Sequence, residues 1–233
     1  MPKIRSPFLI VNPKSYLYGK ESLKLAKAAD QAAVETGVQM MFTCPYADIR
    51  YIKENTENII VTAQSMESLK PGRGMGHILP ESLKEAGAEA VFLNHAEYPL
   101  TLAELYAVIK RARELGMATV VCADSVVEGT AVAQLGPDIL LCEPTDLIGT
   151  GKVADDSYTV EVVERIHRID PEILIMIASG VSTAEDVYNV IRLGADGTGA
   201  TSGILNAPDP CERVMEMAKA MARADQENRN EGK

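Results

Sequence analysis

The chain has 233 residues, of which 46% are hydrophobic and 24% charged, with a formal net charge of −10. The length suits one α/β barrel of ~250 residues better than a lone sandwich or two full domains. The acidic balance excludes a general nucleic-acid binder, no run of about 18 apolar residues offers a membrane span, and Met1 to Arg5 lacks the apolar run of a secretion signal.

In chain order, short apolar runs alternate with longer amphipathic stretches. The runs lie at 8–12, 38–42, 59–62, 90–93, 118–122, 138–142, 173–177 and 197–201. Unbroken rather than alternating hydrophobicity predicts parallel strands buried on both faces. The last run is the weakest strand, because Gly197 and Gly199 interrupt it. Helices are predicted over 22–36 (stopped by Gly37), 80–86 (Pro80 in its first turn, Gly87 at its end) and 101–115 (a Thr101/Glu104 capping box, then Gly116). Further helices are predicted over 157–169, 183–193 and 210–224. Eight strand–helix units predict a single-domain TIM (β/α)8 barrel over 1–224, rather than an open doubly wound sheet. The polar tail 225–233 is predicted to be frayed and disordered.

Cys44, Cys122, Cys142 and Cys211 form no C-x-x-C pair, and His77, His95 and His167 have no metal-ligand spacing. Scattered thiols suit a reducing cytoplasm, and no metal is expected. Cys122 and Cys142 read as buried thiols, and Met215, Met217 and Met221 as packing on the last helix.

Barrels of this kind carry their chemistry at the C-terminal ends of the strands. Asn12-Pro13-Lys14 follows the first run, Asn94-His95-Ala96-Glu97 the fourth, Glu143 to Lys152 the sixth, Ala178 to Val181 the seventh and Thr201 to Gly203 the eighth. An ammonium, an imidazole and a carboxylate thereby share one rim. The set suits proton transfer beside a carbonyl: the carboxylate moves a proton between adjacent carbons, while neutral imidazole and ammonium stabilise the enediolate oxygens. The small-residue loops allow backbone N–H groups to approach a phosphate. Residues 95–99 read as a short helix start, which would keep the imidazole neutral. Pro144 stiffens one end of the following segment, and Gly149 and Gly151 loosen the other.

These residues belong to an ordered series of motifs. They are Asn12-x-Lys14, Ala63-Gln64, Gly76-His77-Ile78-Leu79-Pro80, Leu93-Asn94-His95-x-Glu97, Glu143-Pro144-x-x-Leu147-Ile148-Gly149-Thr150-Gly151 and Ser202-Gly203. On them the chain resembles the triosephosphate isomerase family in its short archaeal form. The resemblance implies Glu143 as base, His95 as electrophile and Lys14 as electrostatic stabiliser. It implies Asn12, Glu97, Gly151, Gly180, Thr201 and Ser202 as substrate-binding residues, with Gly151, Gly180, Thr201 and Ser202 at the phosphate and 144–151 as a lid. It further implies a small phosphorylated sugar as substrate, a glycolytic and gluconeogenic role in the cytoplasm, no cofactor, and a homodimer or homotetramer assembled around the loop 65–76.

Four positions depart from the family pattern: Ala96 stands where serine is usual, Pro99 where arginine is common, Met75 where threonine is common and Ala178 where glycine is usual. Ala96 lacks a hydroxyl that could position the base in an open state, and Pro99 removes a charged contact beneath the site. An isomerase of a four-carbon ketose phosphate and a non-catalytic phosphate-binding barrel therefore stand as alternatives. Barrel enzymes that rely on paired aspartates or a Schiff-base lysine fit the Glu143 motif poorly.

Overall fold

A computed structural model describes residues 2–143 and 156–232. Eight strands alternate with helices: β1 (Phe8–Val11), α1 (Gly19–Thr36), β2 (Gln39–Cys44), a 3-10 turn (Tyr46–Asp48) leading into α2 (Ile49–Lys53), β3 (Ile59–Ala63), α3 (Pro80–Ala86), β4 (Ala90–Leu93) and α4 (Leu102–Glu114). The second half holds β5 (Ala118–Ala123), α5 (Val126–Ala133), β6 (Ile139–Cys142), α6 (Asp156–His167), β7 (Leu174–Met176), α7 (Ala184–Arg192), β8 (Gly197–Ala200), α8 (Ser202–Leu205) and α9 (Pro210–Glu231). The strands are all parallel and close in sequence order, with β8 returning to β1. No helix among the described residues is long and apolar enough to cross a membrane.

The unbroken apolar runs reflect two buried faces. Phe8 and Ile10 point into the barrel with Met41, Phe92, Val120, Leu141 and Met176. Leu9 and Val11, one residue out of phase, pack outward with Met40 and Phe42 against the helices. Burying each such large side chain contributes about 1.5–3 kcal/mol, so the strands that carry them are anchored from both sides.

The glycines of β8 are a packing requirement. A Cβ on Gly197 would lie 2.4 Å from the Phe8 ring, and one on Gly199 would lie 2.7 Å from both the Ile10 carbonyl oxygen and Met176 Cε. The volume missing from β8 is filled by its neighbours, which is why a strand lacking apolar side chains completes the barrel.

The expected caps are present: Gly37 and Gly87 adopt left-handed φ values of 72° and 106°, and Thr101 and Glu104 cap α4 reciprocally. Three short helices, α2, α5 and α8, escape the sequence reading. The α5 sequence, Val126 to Ala133, is too uniformly small and apolar to show an amphipathic period. Ser125 caps it, and Gly129 lets it approach β6 so closely that a Cβ would lie 2.5 Å from Cys142 Sγ.

The expectation of a frayed tail from residue 225 is corrected by α9, which continues to Glu231. Arg192 on α7 donates to Asn228 Oδ1 at 2.5 Å and Glu231 Oε1 at 2.7 Å, while Asn228 Nδ2 donates to the Ile191 carbonyl at 2.9 Å. Tyr188 donates to Glu227, and Arg223 stacks over the Tyr188 ring. The polar composition that reads as solvated has its partners on a helix far away in sequence. Backbone amides of 225–231 are expected to resist hydrogen exchange in the native protein and to lose that protection in Arg192→Ala; rapid exchange in the native chain would contradict this docking.

Candidate active site

The end of β1 is set by backbone chemistry. Asn12 N–H donates to the Ala200 carbonyl across the barrel seam at 3.3 Å, and its side-chain Oδ1 accepts from Lys14 N–H at 3.0 Å. Lys14 takes a left-handed φ of 49°, uncommon for a residue with a side chain. Gln64, at the end of β3, donates to the Lys14 carbonyl at 2.8 Å and fixes that conformation. The ammonium then reaches Glu97 Oε1 at 2.7 Å. That bond is the main cause holding the Glu97 carboxyl below its ordinary range.

His95 follows β4. The expected helix start at 95–99 is absent: the segment is a turn in which Tyr98 N–H donates to the His95 carbonyl at 2.7 Å, and the next helix begins at Leu102. Proline at 99 removes an N–H, and the exposed 96–99 segment has no core to pack on. The imidazole is kept neutral by other means. Burial lowers its pKa first and the Lys14 charge second, against a smaller opposing pull from Glu97. Glu97 N–H donates to His95 Nδ1 at 3.1 Å. Nδ1 is therefore the acceptor, and the neutral ring carries its proton on Nε2.

Glu143 directly follows β6, its N–H bonded to the Ala123 carbonyl at 2.9 Å. Burial pushes its carboxyl above the ordinary range, while Lys14 and the buried Ser179 hydroxyl beyond β7 pull in the other direction; burial wins. Opposite, the loops after β7 and β8 meet backbone to backbone. A Cβ on Gly203 would lie 2.5 Å from Ser182 Cα and 2.7 Å from the Val181 carbonyl oxygen, and Gly180 has a φ of 73°.

These elements enclose a cavity of about 240 Å³. Asn12, Lys14, His95, Glu143, Gly180, Thr201 and Ser202 all line it. Glu97 lies in an adjoining recess that shares Asn12, Lys14 and His95. Gly151 and the lid expected over 144–151 lie outside the described residues. Sequence reasoning missed the apolar floor of Ile10, Phe92, Leu141 and Met176, and Tyr16, Leu205 and Asn206 at the walls; inward strand residues bear no mark separating floor from core. His77 pairs with Glu67 and His167 contacts the Ile173 carbonyl, both outside these cavities. Cys142 is buried, with its thiol pushed up to about 12, so it is no ready nucleophile.

A closed parallel barrel bearing a carboxylate, a neutral imidazole and an ammonium on its C-terminal rim defines a (β/α)8-barrel enzyme equipped for proton transfer. The family model described as Triosephosphate isomerase matches residues 7–221. The chain belongs to the triosephosphate isomerase family. It is 40% identical over 217 residues to the triosephosphate isomerase of Methanobacterium bryantii, spanning 91% of this chain and 96% of that one. It is 34% identical over 216 residues to that of Methanocaldococcus jannaschii, spanning 91% and 98%. The crystal structure of triosephosphate isomerase from Bartonella henselae superposes with a TM-score of 0.74 at 19% identity, covering 93% of this chain and 99% of that one, and establishes the fold.

The ring chemistry is measurable by imidazole nitrogen NMR. His95 is expected to stay neutral as pH falls through its ordinary 6.5, with the proton on Nε2. Lys14→Met is expected to raise the pKa of both His95 and Glu143, since the lysine charge lowers both. A His95 ring titrating above 6.5 in the native protein would contradict this electrostatic picture.

Proposed function

We propose that the chain interconverts glyceraldehyde 3-phosphate and dihydroxyacetone phosphate through an enediolate. Glu143 removes a proton from one carbon and returns it to the next. His95 Nε2–H donates to the oxygen on which charge develops, and Lys14 stabilises that charge. Asn12 and Glu97 hold the lysine in register, one through its backbone and the other through its ammonium. Gly180, Thr201 and Ser202 receive the phosphate, together with Gly151. Closure of 144–151 over the substrate would exclude water from the enediolate.

The observation that carries this reading is one small cavity lined by Glu143, His95 and Lys14 together with Gly180, Thr201 and Ser202. A volume of about 240 Å³ suits a small sugar phosphate. The carboxyl raised by burial is a stronger base than a solvated one, yet remains ionised once the pH exceeds its elevated pKa. The recess beside Ala96 and Pro99, bordered by Glu143, favours one further reading, room for a fourth carbon.

The test is turnover of glyceraldehyde 3-phosphate beside a four-carbon ketose phosphate. Glu143→Gln is expected to lower kcat by roughly 10²–10⁴-fold, and His77→Gln to leave it unchanged. Native kcat/KM is expected to fall with decreasing pH through a carboxyl pKa above the ordinary 4.5, because a raised pKa protonates the base earlier on acidification. Equal turnover by the native chain and Glu143→Gln rejects the enzyme reading in favour of a non-catalytic barrel. Faster turnover of the four-carbon substrate reassigns it.

The assembly we infer is a homodimer or homotetramer. Support comes from large exposed side chains on the rim: Met75 is fully exposed on the 65–76 loop, and Tyr16 and Tyr18 are 72% and 76% exposed. Apolar surface of this kind is removed from water by a second copy. Met75→Glu is expected to shift the light-scattering mass toward the monomer, and a native chain that is monomeric at micromolar concentration overturns the assembly. A cytoplasmic location accords with four free thiols.

A further inference from the structure

The geometry points to Asn94 and Glu128 as a clamp that positions the His95 imidazole, a role resting on the proposed function of His95 as electrophile. Among the described residues, the only non-glycine positions with positive φ are Lys14 and Asn94, both on the rim. The φ of 58° at Asn94 turns the chain sharply at the end of β4. Its side chain is fully engaged. Nδ2 donates to the Cys122 carbonyl at 3.0 Å and to Glu128 Oε1 at 3.1 Å, and Oδ1 accepts from Leu100 N–H at 2.9 Å. Glu128 is fixed in turn: its Oε2 accepts from Asp124 N–H at 2.6 Å, and its own N–H donates to Ser125 Oγ at 3.2 Å at the start of α5.

The clamp therefore ties together the end of β4, the end of β5 and the first turn of α5. Between Asn94 and Leu100 runs a loop whose residues 96–99 are all exposed, so no core packing holds it in place. That loop supplies the Glu97 N–H that reaches His95 Nδ1 at 3.1 Å. The order of dependence is Glu128 to Asn94, Asn94 to the closed loop, the loop to the Glu97 amide, and the amide to the tautomer of His95. A loosened loop removes the donor that reserves Nδ1 as acceptor, and the Nε2 proton loses its fixed direction toward the substrate oxygen. Positional errors of this sort lower kcat more than they weaken ground-state binding.

Glycine accepts φ > 0 without strain, so Asn94→Gly keeps the turn and deletes only the amide. The experiment measures kcat, KM, thermal unfolding and the His95 nitrogen spectrum of the native chain, Asn94→Gly, Glu128→Ala and Glu128→Gln. Asn94→Gly and Glu128→Ala are expected to lose about tenfold or more in kcat, with KM within about twofold, and to show a second imidazole tautomer. Glu128→Gln keeps one acceptor oxygen and is expected to recover part of the loss. Native kcat in Asn94→Gly overturns the clamp, as does a reduced kcat with an unchanged imidazole spectrum. If Asn94→Gly fails to fold, Glu128→Ala decides by the same two readouts. His95→Gln with native turnover would instead overturn the electrophile reading, while the tautomer measurement would still judge the clamp.

Discussion

The seam where β8 returns to β1 is the constraint on which the site depends. Phe8 pairs with Gly197 and Val11 with Ala200, and the Phe8 ring occupies the space a side chain at 197 would need. A larger residue there would push apart the two strands that close the barrel. With the seam closed, Asn12 bonds to the Ala200 carbonyl, and the loop bearing Lys14 faces the loop bearing Thr201 and Ser202 across one cavity. Residues nearly 190 positions apart thus become neighbours through the fit of one aromatic ring into the space that a glycine leaves free.

Within that frame the Lys14 ammonium organises the charges. It pairs with Glu97, opposes protonation of His95 and restrains the rise of the Glu143 pKa. Burial acts on the two titrating groups in opposite directions, lowering the imidazole and raising the carboxyl, because desolvation penalises whichever form is charged. One desolvated pocket holding one cation thereby favours a neutral hydrogen-bond donor and a strengthened base together. The left-handed backbone at Lys14 is held by Asn12 and Gln64, and such conformations persist where surrounding structure over-determines them.

Two of the departures from the family pattern fall together beside Glu143, while Ala178 lines the main cavity with Gly180. Ala96 and Pro99 border a recess with Cys122, Glu128 and Glu143. Glu97, left without an arginine at position 99, has Lys14 as its ion-pair partner. The buried Ser179 hydroxyl, beyond β7, favours the ionised form of Glu143.

Seven strands were legible as apolar runs, since a strand buried on both faces favours apolar side chains throughout; β8 was the faintest, because the Phe8 ring and Met176 fill the space its glycines leave. The helix stops at Gly37 and Gly87 and the Thr101 capping box were legible because caps are local chemistry. The motif order after the strands revealed Asn12, Lys14, His95, Glu143, Gly180, Thr201 and Ser202 as one rim, because barrel topology sends every strand's C-terminal end to the same face. Other features required partners distant in sequence: the docking of 225–231 on Arg192, the Gln64 bond behind Lys14, and the Asn94–Glu128 pair. A side chain's own identity and period record which face it needs buried. Which hydrogen-bond partner meets it, and which tautomer or charge state that partner imposes, is decided only when the folded chain brings the two together.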